Sequence, residues 1–473
     1  MDKLTIDFYE LTISQAYFEQ NRHKEIAYFD VFYRKAPDNA PFAIANGISE
    51  IMDFIAKFGF SKSDIEYLAA TKKFSKKFLD YLLSLKFSGD VWAVPDGTVI
   101  FPNEPVITVR APIIEAQLLE TFILQKFNYA SLITTKANRI VRTAGSIPVF
   151  EIGAKRAHGE DSAVYGAVYS YEAGAIASTC TETGKKLGVP QMCIMSHSFV
   201  QSFDSEYDAF ICYAKTYPNE CVLLVDTYNT LESGIVNAIK VYQKILKPLG
   251  KNLKAIRIDS GDLSFLAKQC RKRLDEAGMF ETKIILSNSL DEFVIESLLG
   301  QGTPVDFFAV GERLITSKSS PIFGGVYKLV AMEQSGKIIP KIKISDNNDK
   351  VSVPAFKNLY RIYDENSKII SDYICMFDEP KPEKQMSIKD PDRPWLIKNL
   401  HNFTVRELRY KFISGGKRAF KNLTPIEIRK YISNEISSLP NESLRLHHPQ
   451  LISINYSPKL TVVRDSLLTK RYR

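Results

Sequence analysis

The apolar residues change their spacing twice along the chain, dividing it into three blocks. In the first, residues 1–20 read as a helix with an acidic first turn, and it carries the cluster Asp7-Phe8-Tyr9-Glu10. EIAYFDVFYRKAP (25–37) alternates as a strand does. NGISEIMDFIAKFG and SKSDIEYLAA are amphipathic helical text with capping-type starts. Residues 88–112 are strand text punctuated by Pro-Asp-Gly and Pro-Asn-Glu-Pro turns, and 113–144 is a long apolar helical region. The pattern predicts a mixed α/β domain over residues 1–145.

The second block, 146–333, alternates short apolar runs with amphipathic helical segments. The runs are PVFEIGAK, QMCIMSHS, CVLLVDTY, KAIRIDSGD, TKIILSNS and VDFFAVGE. Repeated strand-then-helix text predicts parallel strands. Six to seven such units in under 200 residues predict a small or irregular barrel, since a full eight-unit barrel takes about 250. The third block, 334–473, is strand-rich, then rich in Pro and charge (DEPKPEKQ, KDPDRP), and ends in two helices and a basic tail.

Composition excludes several classes. The chain has 473 residues, 45% hydrophobic and 25% charged, with no run of eighteen apolar residues, so no membrane span is expected. Six scattered cysteines without a C-x-x-C pair argue against a disulfide framework or a thiolate metal cluster. The first residues, MDKLTIDFYEL, lack the basic and apolar regions of a secretion signal, so a cytoplasmic setting is expected. The net charge of +8 is concentrated late. Residues 396–473 hold fifteen Lys and Arg against five Asp and Glu, a net of +10, leaving −2 for the rest. No nucleic-acid-binding module accompanies the basic tail, which disfavours a nucleic-acid partner and favours a solvated basic face or a wall near anionic substrates.

The candidate chemistry lies at the carboxyl ends of the middle strands, where parallel sheets and barrels present it. QMCIMSHSFVQSFDSEYDAF reads as a buried strand, a polar tip (Ser196, His197, Ser198) and a helix. The other strands end in Lys155 and Arg156, in Asp226, in Arg257 with Asp259, in Ser287 and Asn288, and in Gly311. Arg257 and Asp259, two apart, point to one side of their strand. Asp259 either neutralises Arg257, or Arg257 grips a ligand carboxylate while Asp259 takes a sugar hydroxyl or Mg²⁺. Asp226, one unit from His197, is placed to accept its Nδ1–H and fix its tautomer. His197 is then a general base or a phosphoryl acceptor. A metal-ligand role is disfavoured, because no second His or Cys ends a neighbouring strand. Gly311, Gly324 and Gly325, with the Ser287-Asn288-Ser289 loop, suit phosphate oxygens. The chain has no G-x-x-x-x-G-K-[ST], so any ATP is not held by a P-loop.

The segments IDFYELTISQAYF, PFAIANGI, FEIGAKRAHG, MSHSFVQSFDSEYDAF, VLLVDTYNTLESGIVNAI, IRIDSGDL, ILSNSLDE, VGERLITS and GGVYKLVA span nearly the whole chain, and on them it resembles the nicotinate phosphoribosyltransferases. The resemblance implies a type II phosphoribosyltransferase fold: an irregular α/β barrel against an N-terminal mixed α/β domain, assembled as a homodimer with shared active sites. It implies an enzyme of NAD biosynthesis and salvage that joins nicotinate to phosphoribosyl pyrophosphate with Mg²⁺ and coupled ATP hydrolysis, releasing pyrophosphate. His197 looks like the histidine that the family phosphorylates and Asp226 like its carboxylate partner. Arg257 looks like the arginine beside nicotinate and Asp259 like the ribose and metal contact. Tyr9 looks like the aromatic that stacks on the pyridine ring from the partner subunit.

Three positions depart from the family pattern. Lys155-Arg156 stands where two arginines are usual, and lysine keeps the charge but loses the fork. Glu312 follows Gly311 where Thr is common, which is unfavourable beside phosphate unless Arg313 pairs it or it points away. AGAIASTCT (173–181) contains no Asp, whereas nicotinamide-using relatives carry a carboxylate there, so the acid is favoured over the amide. Nicotinamide- or quinolinate-using enzymes of the same fold, or a catalytically dead homologue, are the alternatives.

Overall fold

The computed structural model describes residues 3–345, 351–383, 385–389, 395 and 397–470. It falls into two compact units, one of residues 133–321 and one of 1–132 with 322–473.

The unit of residues 133–321 holds an open six-stranded sheet, half of a barrel. Its strand order is Ala177–Ser178, Val149–Glu151, Phe307–Val310, Lys283–Ser287, Ala255–Ile258, Val222–Leu224. Every pairing is parallel. Both faces of such a sheet are covered, so the strands read as continuous apolar runs. Phe150, Ala177, Val222, Ala255, Ile285 and Ala309 form the core of one face. The alternate residues Leu223, Ile256, Ile258, Ile284, Leu286, Phe308 and Val310 are buried on the other. The connecting helices start where the sequence supplies caps. Asp262 accepts from Phe265 N–H before helix Leu263–Glu276, Asp291 from Phe293 and Val294 before Glu292–Gly300, and Ser205 from Asp208 before Glu206–Thr216.

Two readings of this block are corrected. QMCIMSHS is not a strand: Gln191 makes one isolated bridge to Ser178, and helix His197–Gln201 follows. The neighbouring strand is only two residues long and turns into helix Thr181–Leu187, which leaves Cys193–Met195 no ladder to join. TLESGIVNAIKVYQKILKPLG (230–250), one of the amphipathic helical segments between the strands, is not a single α-helix but runs as a π turn (Thr230–Gly234), an α-helix (Ile235–Val241), a second π turn (Tyr242–Leu246) and a 3₁₀ turn (Lys247–Leu249). Position 234 must be glycine, because a Cβ there would overlap the Val225 carbonyl.

The other unit is built on a seven-stranded antiparallel sheet in the order Lys337–Pro340, Gly325–Gln334, Ile26–Tyr33, Ile107–Pro112, Asp90–Ala93, Tyr410–Ser414, Lys417–Arg418. A four-stranded sheet, Thr404–Glu407, Lys357–Tyr363, Ile369–Met376, Ser453–Tyr456, accompanies it. Several of its buried charges are paired, which offsets the cost of burial. Arg361 meets Asp372 at 2.6 Å and Glu435 at 2.8 Å, and Lys357 meets Asp30 at 2.7 Å. The capping box read in SKSDIEYLAA forms between Ser61 and Asp64. The division at 145 and 333 differs from what forms. Strand Tyr410–Ser414 from the last block pairs with Asp90–Ala93 from the first, so these two blocks make one unit. An alternating apolar pattern marks a strand without naming its partner, and here the partners lie over 300 residues apart.

Candidate active site

In the unit of residues 133–321, three strand ends and the start of helix His197–Gln201 converge on one polar constellation. Arg257 follows Ala255 on the same strand face and is 8% exposed. Its Nη2 lies 2.9 Å from Asp259 Oδ1, and its Nε donates to Ser287 Oγ at 2.9 Å. The Ser287 hydroxyl in turn donates to Asp259 Oδ1 at 2.5 Å. These bonds fix the guanidinium plane. Nη1 has no protein partner among the described residues, and it is the donor left for a ligand. Asp259 thus pairs Arg257 internally without exhausting it.

His197 opens its short helix and is half-exposed. Its Nδ1 lies 3.2 Å from Thr227 Oγ1 and its Nε2 lies 3.7 Å from Asp259 Oδ2. The expected Asp226–His197 bond is absent among the described residues. Asp226 Oδ2 instead accepts the Asp259 N–H at 2.9 Å and the Ser260 hydroxyl at 2.6 Å. Asp226 therefore shapes the turn that presents Asp259, and Asp259 is the carboxylate facing the imidazole. The chain leaves the sheet after Leu224, and this lets Asp226 reach across to the next strand's exit. Asp226 Oδ1 is buried without a hydrogen-bond partner. Burial pushes the nearby Glu206 carboxyl above its ordinary range, with Asp226 adding to the push.

Around this centre, Lys155 and Arg156 are exposed on the turn Ala154–Arg156, and neither is in a salt bridge among the described residues. Asn288 and Ser289 hold left-handed backbone at φ 91° and 48°, a conformation that costs energy outside glycine and clusters at functional sites. Ser198 is exposed and shares a hydrogen bond with Ser196 at 2.8 Å. Gly311 caps helix Glu312–Ile315. Glu312 is paired by Lys318 at 3.1 Å, which holds its carboxyl below the usual range, while Arg313 pairs Asp291. The unfavourable glutamate is thus neutralised, by a lysine six residues on and not by Arg313.

Ten candidates lie in this unit: His197, Asp226, Arg257, Asp259, Lys155, Arg156, Ser198, Ser287, Asn288 and Gly311. Tyr9, Gly324 and Gly325 lie in the other. Tyr9 is 47% exposed on helix Phe8–Glu19. Gly325 donates its N–H to Asn128 Oδ1 at 2.8 Å, and a Cβ there would meet Asn128 and Phe127, so its amide is already committed to packing. Sequence reasoning missed Thr227 and Ser260 at the centre, and Glu151 with Ser178 outside it, behind the turn that bears Lys155 and Arg156. Thr227 and Ser260 directly follow recognised strand-end acids. Glu151 was signalled by a charge inside the apolar run PVFEIG.

A half-barrel of parallel strands with an acid, a guanidinium and an imidazole at its carboxyl ends defines the type II phosphoribosyltransferase class. A crystal structure of human nicotinic acid phosphoribosyltransferase superposes with a TM-score of 0.86 at 26% identity, covering 98% of this chain and 99% of that one. Nicotinate-nucleotide pyrophosphorylase from Pyrococcus furiosus shares the fold at a TM-score of 0.70 and 20% identity, covering 92% and 95%. Family models for the nicotinate phosphoribosyltransferase (NAPRTase) N-terminal and C-terminal domains match residues 4–128 and 356–464. Nicotinate phosphoribosyltransferase of Bacillus subtilis (strain 168) is 36% identical over 96% of this chain and 92% of its own. That of Mycobacterium tuberculosis (strain ATCC 25618 / H37Rv) is 42% identical over 76% and 75%. The chain belongs to the nicotinate phosphoribosyltransferase family.

Proposed function

We propose that this protein joins nicotinate to phosphoribosyl pyrophosphate, giving nicotinate mononucleotide and pyrophosphate in NAD biosynthesis, with ATP hydrolysis coupled through a phosphohistidine. The observation that carries the reading is Arg257: a buried guanidinium, clamped by Ser287 and Asp259, with Nη1 left over. A charged donor held in a fixed plane by the protein suits a small planar carboxylate. The pyridine nitrogen attacks C1 of the ribose as pyrophosphate leaves, and the protein's part is to hold the two reactants in register. Arg257 orients the nicotinate carboxylate, and Lys155 and Arg156 meet phosphate oxygens. His197, half-exposed between Thr227 and Asp259, takes the phosphoryl group of ATP. Tyr9 covers the ring bound by the second subunit of a homodimer, and the setting is the cytoplasm.

Mg²⁺ fits the donors present. Hard oxygen ligands suit it, and it is commonly held by one or two carboxylates plus substrate phosphates. No group of three or more metal-binding side chains exists among the described residues, so a substrate-completed shell is the arrangement these donors allow. Asp259 would hold the ion together with phosphoribosyl pyrophosphate, and when bound it would neutralise charge on the departing pyrophosphate.

The test is product analysis with phosphoribosyl pyrophosphate and Mg²⁺, with and without ATP, offering nicotinate, nicotinamide and quinolinate separately. Nicotinate mononucleotide should form, faster with ATP. A product from nicotinamide or quinolinate and none from nicotinate would overturn the reading.

A further inference from the structure

Glu151 is an anomaly in its strand. It is fully buried at the end of Val149–Glu151, and strand parity turns it away from the face that carries Phe150 and Arg257. No salt-bridging cation compensates it among the described residues. Uncharged donors do. Its Oε1 accepts the Gly153 N–H, and its Oε2 accepts the Ser178 hydroxyl at 2.7 Å. Ser178 Oγ then accepts the Cys180 N–H at 3.0 Å, and the Glu151 carbonyl accepts the Thr179 N–H at 3.1 Å. One side chain therefore joins the turn after its own strand to the exit of the neighbouring strand. Position 153 must be glycine, since a Cβ would stand 2.8 Å from Glu151 Oε1 and 2.7 Å from Ile315. The same turn is closed by Arg156 N–H on the Gly153 carbonyl at 2.8 Å. That turn carries Lys155 and Arg156, two exposed cations outside any salt bridge among the described residues.

Burying a carboxylate costs several kcal/mol unless its bonds repay it, so an aliphatic residue would be the cheaper occupant of this strand position. Burial indeed pushes the Glu151 carboxyl above its ordinary range, with the Ser178 and Gly153 bonds opposing it. A costly group held by bonds that lead only to one turn and one loop acts through those segments.

We propose that Glu151 is a positioning residue that fixes the Gly153–Arg156 turn so that Lys155 and Arg156 face the phosphate-bearing substrate. The proposal rests on the functional reading above, in which that substrate is phosphoribosyl pyrophosphate.

The experiment compares wild type, Glu151→Ala, Glu151→Gln and Ser178→Ala by calorimetric titration with phosphoribosyl pyrophosphate and by steady-state kinetics. Glu151→Ala should weaken phosphoribosyl pyrophosphate binding and raise its KM about 10- to 100-fold, the scale of losing a supporting hydrogen-bonded shell. The nicotinate KM and kcat should stay within about threefold, because the Arg257 clamp does not involve this turn. Glu151→Gln should restore most of the affinity, since its amide carbonyl still accepts from Gly153 and its NH₂ still reaches Ser178 Oγ. Ser178→Ala should fall between. Should Glu151→Ala not fold, Glu151→Gln and Ser178→Ala carry the test. Ser178→Ala with unchanged affinity, or variants that lose both substrates in proportion, would overturn the proposal. A wild type that binds phosphoribosyl pyrophosphate but makes no nicotinate product refutes the functional reading and leaves the Glu151 comparison to be read by calorimetry. A wild type that binds none overturns both.

Discussion

Replacing Arg257 with lysine tests the substrate assignment most directly. The guanidinium commits two of its nitrogens, Nε to Ser287 and Nη2 to Asp259, and in the proposed reading Nη1 takes the ligand. Lysine brings one compact ammonium, which is drawn to Asp259 Oδ1, the nearest carboxylate oxygen. It cannot also serve Ser287 and a ligand carboxylate in one plane. The ligand thus loses about one charge-assisted hydrogen bond, worth roughly 1.5–3 kcal/mol. At about 1.4 kcal/mol per decade this predicts a rise in nicotinate KM of roughly 10- to 150-fold. In the proposed reading phosphoribosyl pyrophosphate meets other cations, so its KM should move by less than about threefold. Folding stability should fall by only about 1 kcal/mol, because the charge and its main partner are retained. Steady-state kinetics with each substrate varied in turn, beside calorimetric titration of nicotinate, reads the split. Equal losses for both substrates would place Arg257 on the phosphates, and no loss for nicotinate would remove it from the carboxylate.

Three further outcomes follow from the structure and the proposed reading. ATP alone should leave an acid-labile, base-stable phosphoryl label that His197→Asn abolishes together with ATP stimulation, while slow ATP-independent synthesis persists; a labelled His197→Asn protein would sink the phosphohistidine. Glu10 is buried, and burial pushes its carboxyl up to about 7 from an ordinary 4.5 despite two bonds from Thr121, with Glu120 and Asp7 adding to the push. The unfolded chain therefore loses this proton first, and stability falls as pH rises from about 4.5 to about 7. Glu10→Gln should gain up to about 3 kcal/mol on wild type at pH 8 and nothing at pH 4, read by denaturant melts at both; a pH-independent difference refutes the shift. Mixing Tyr9→Ala with Arg257→Ala subunits through a dissociation step should return about a quarter of wild-type activity if Tyr9 serves the neighbouring site, and none if it serves its own.

The parallel half-barrel was legible because its strands are buried on both faces. VLLVDTY, KAIRIDSGD and TKIILSNS each announce a strand and its polar exit in a few residues. The same logic failed at QMCIMSHS. Four apolar residues there satisfy the pattern, yet a strand also needs a neighbour, and Ala177–Ser178 is too short to provide one. Composition shifts at 145 and 333 marked changes of texture, and the seven-stranded sheet crosses both ends of the chain regardless. Pairing between strands far apart in sequence is set by packing, and no local window carries it.

At the site, alternation along one strand was enough to place Arg257 and Asp259 side by side, and the structure puts them 2.9 Å apart. The relation between strands was harder. Asp226 and Asp259 each follow the end of a strand, and only the way the chain leaves each strand decides which acid faces the His197 ring. Asp226 is tied down by the Asp259 amide and the Ser260 hydroxyl, so its carboxylate builds a turn. That turn aims Asp259 at three groups at once: the guanidinium, Ser287 and the imidazole. One carboxylate therefore couples the arginine proposed to grip nicotinate to the proposed phosphoryl acceptor. Charge added to His197 is felt first by Asp259, and through it by the clamp that leaves Arg257 Nη1 to the ligand.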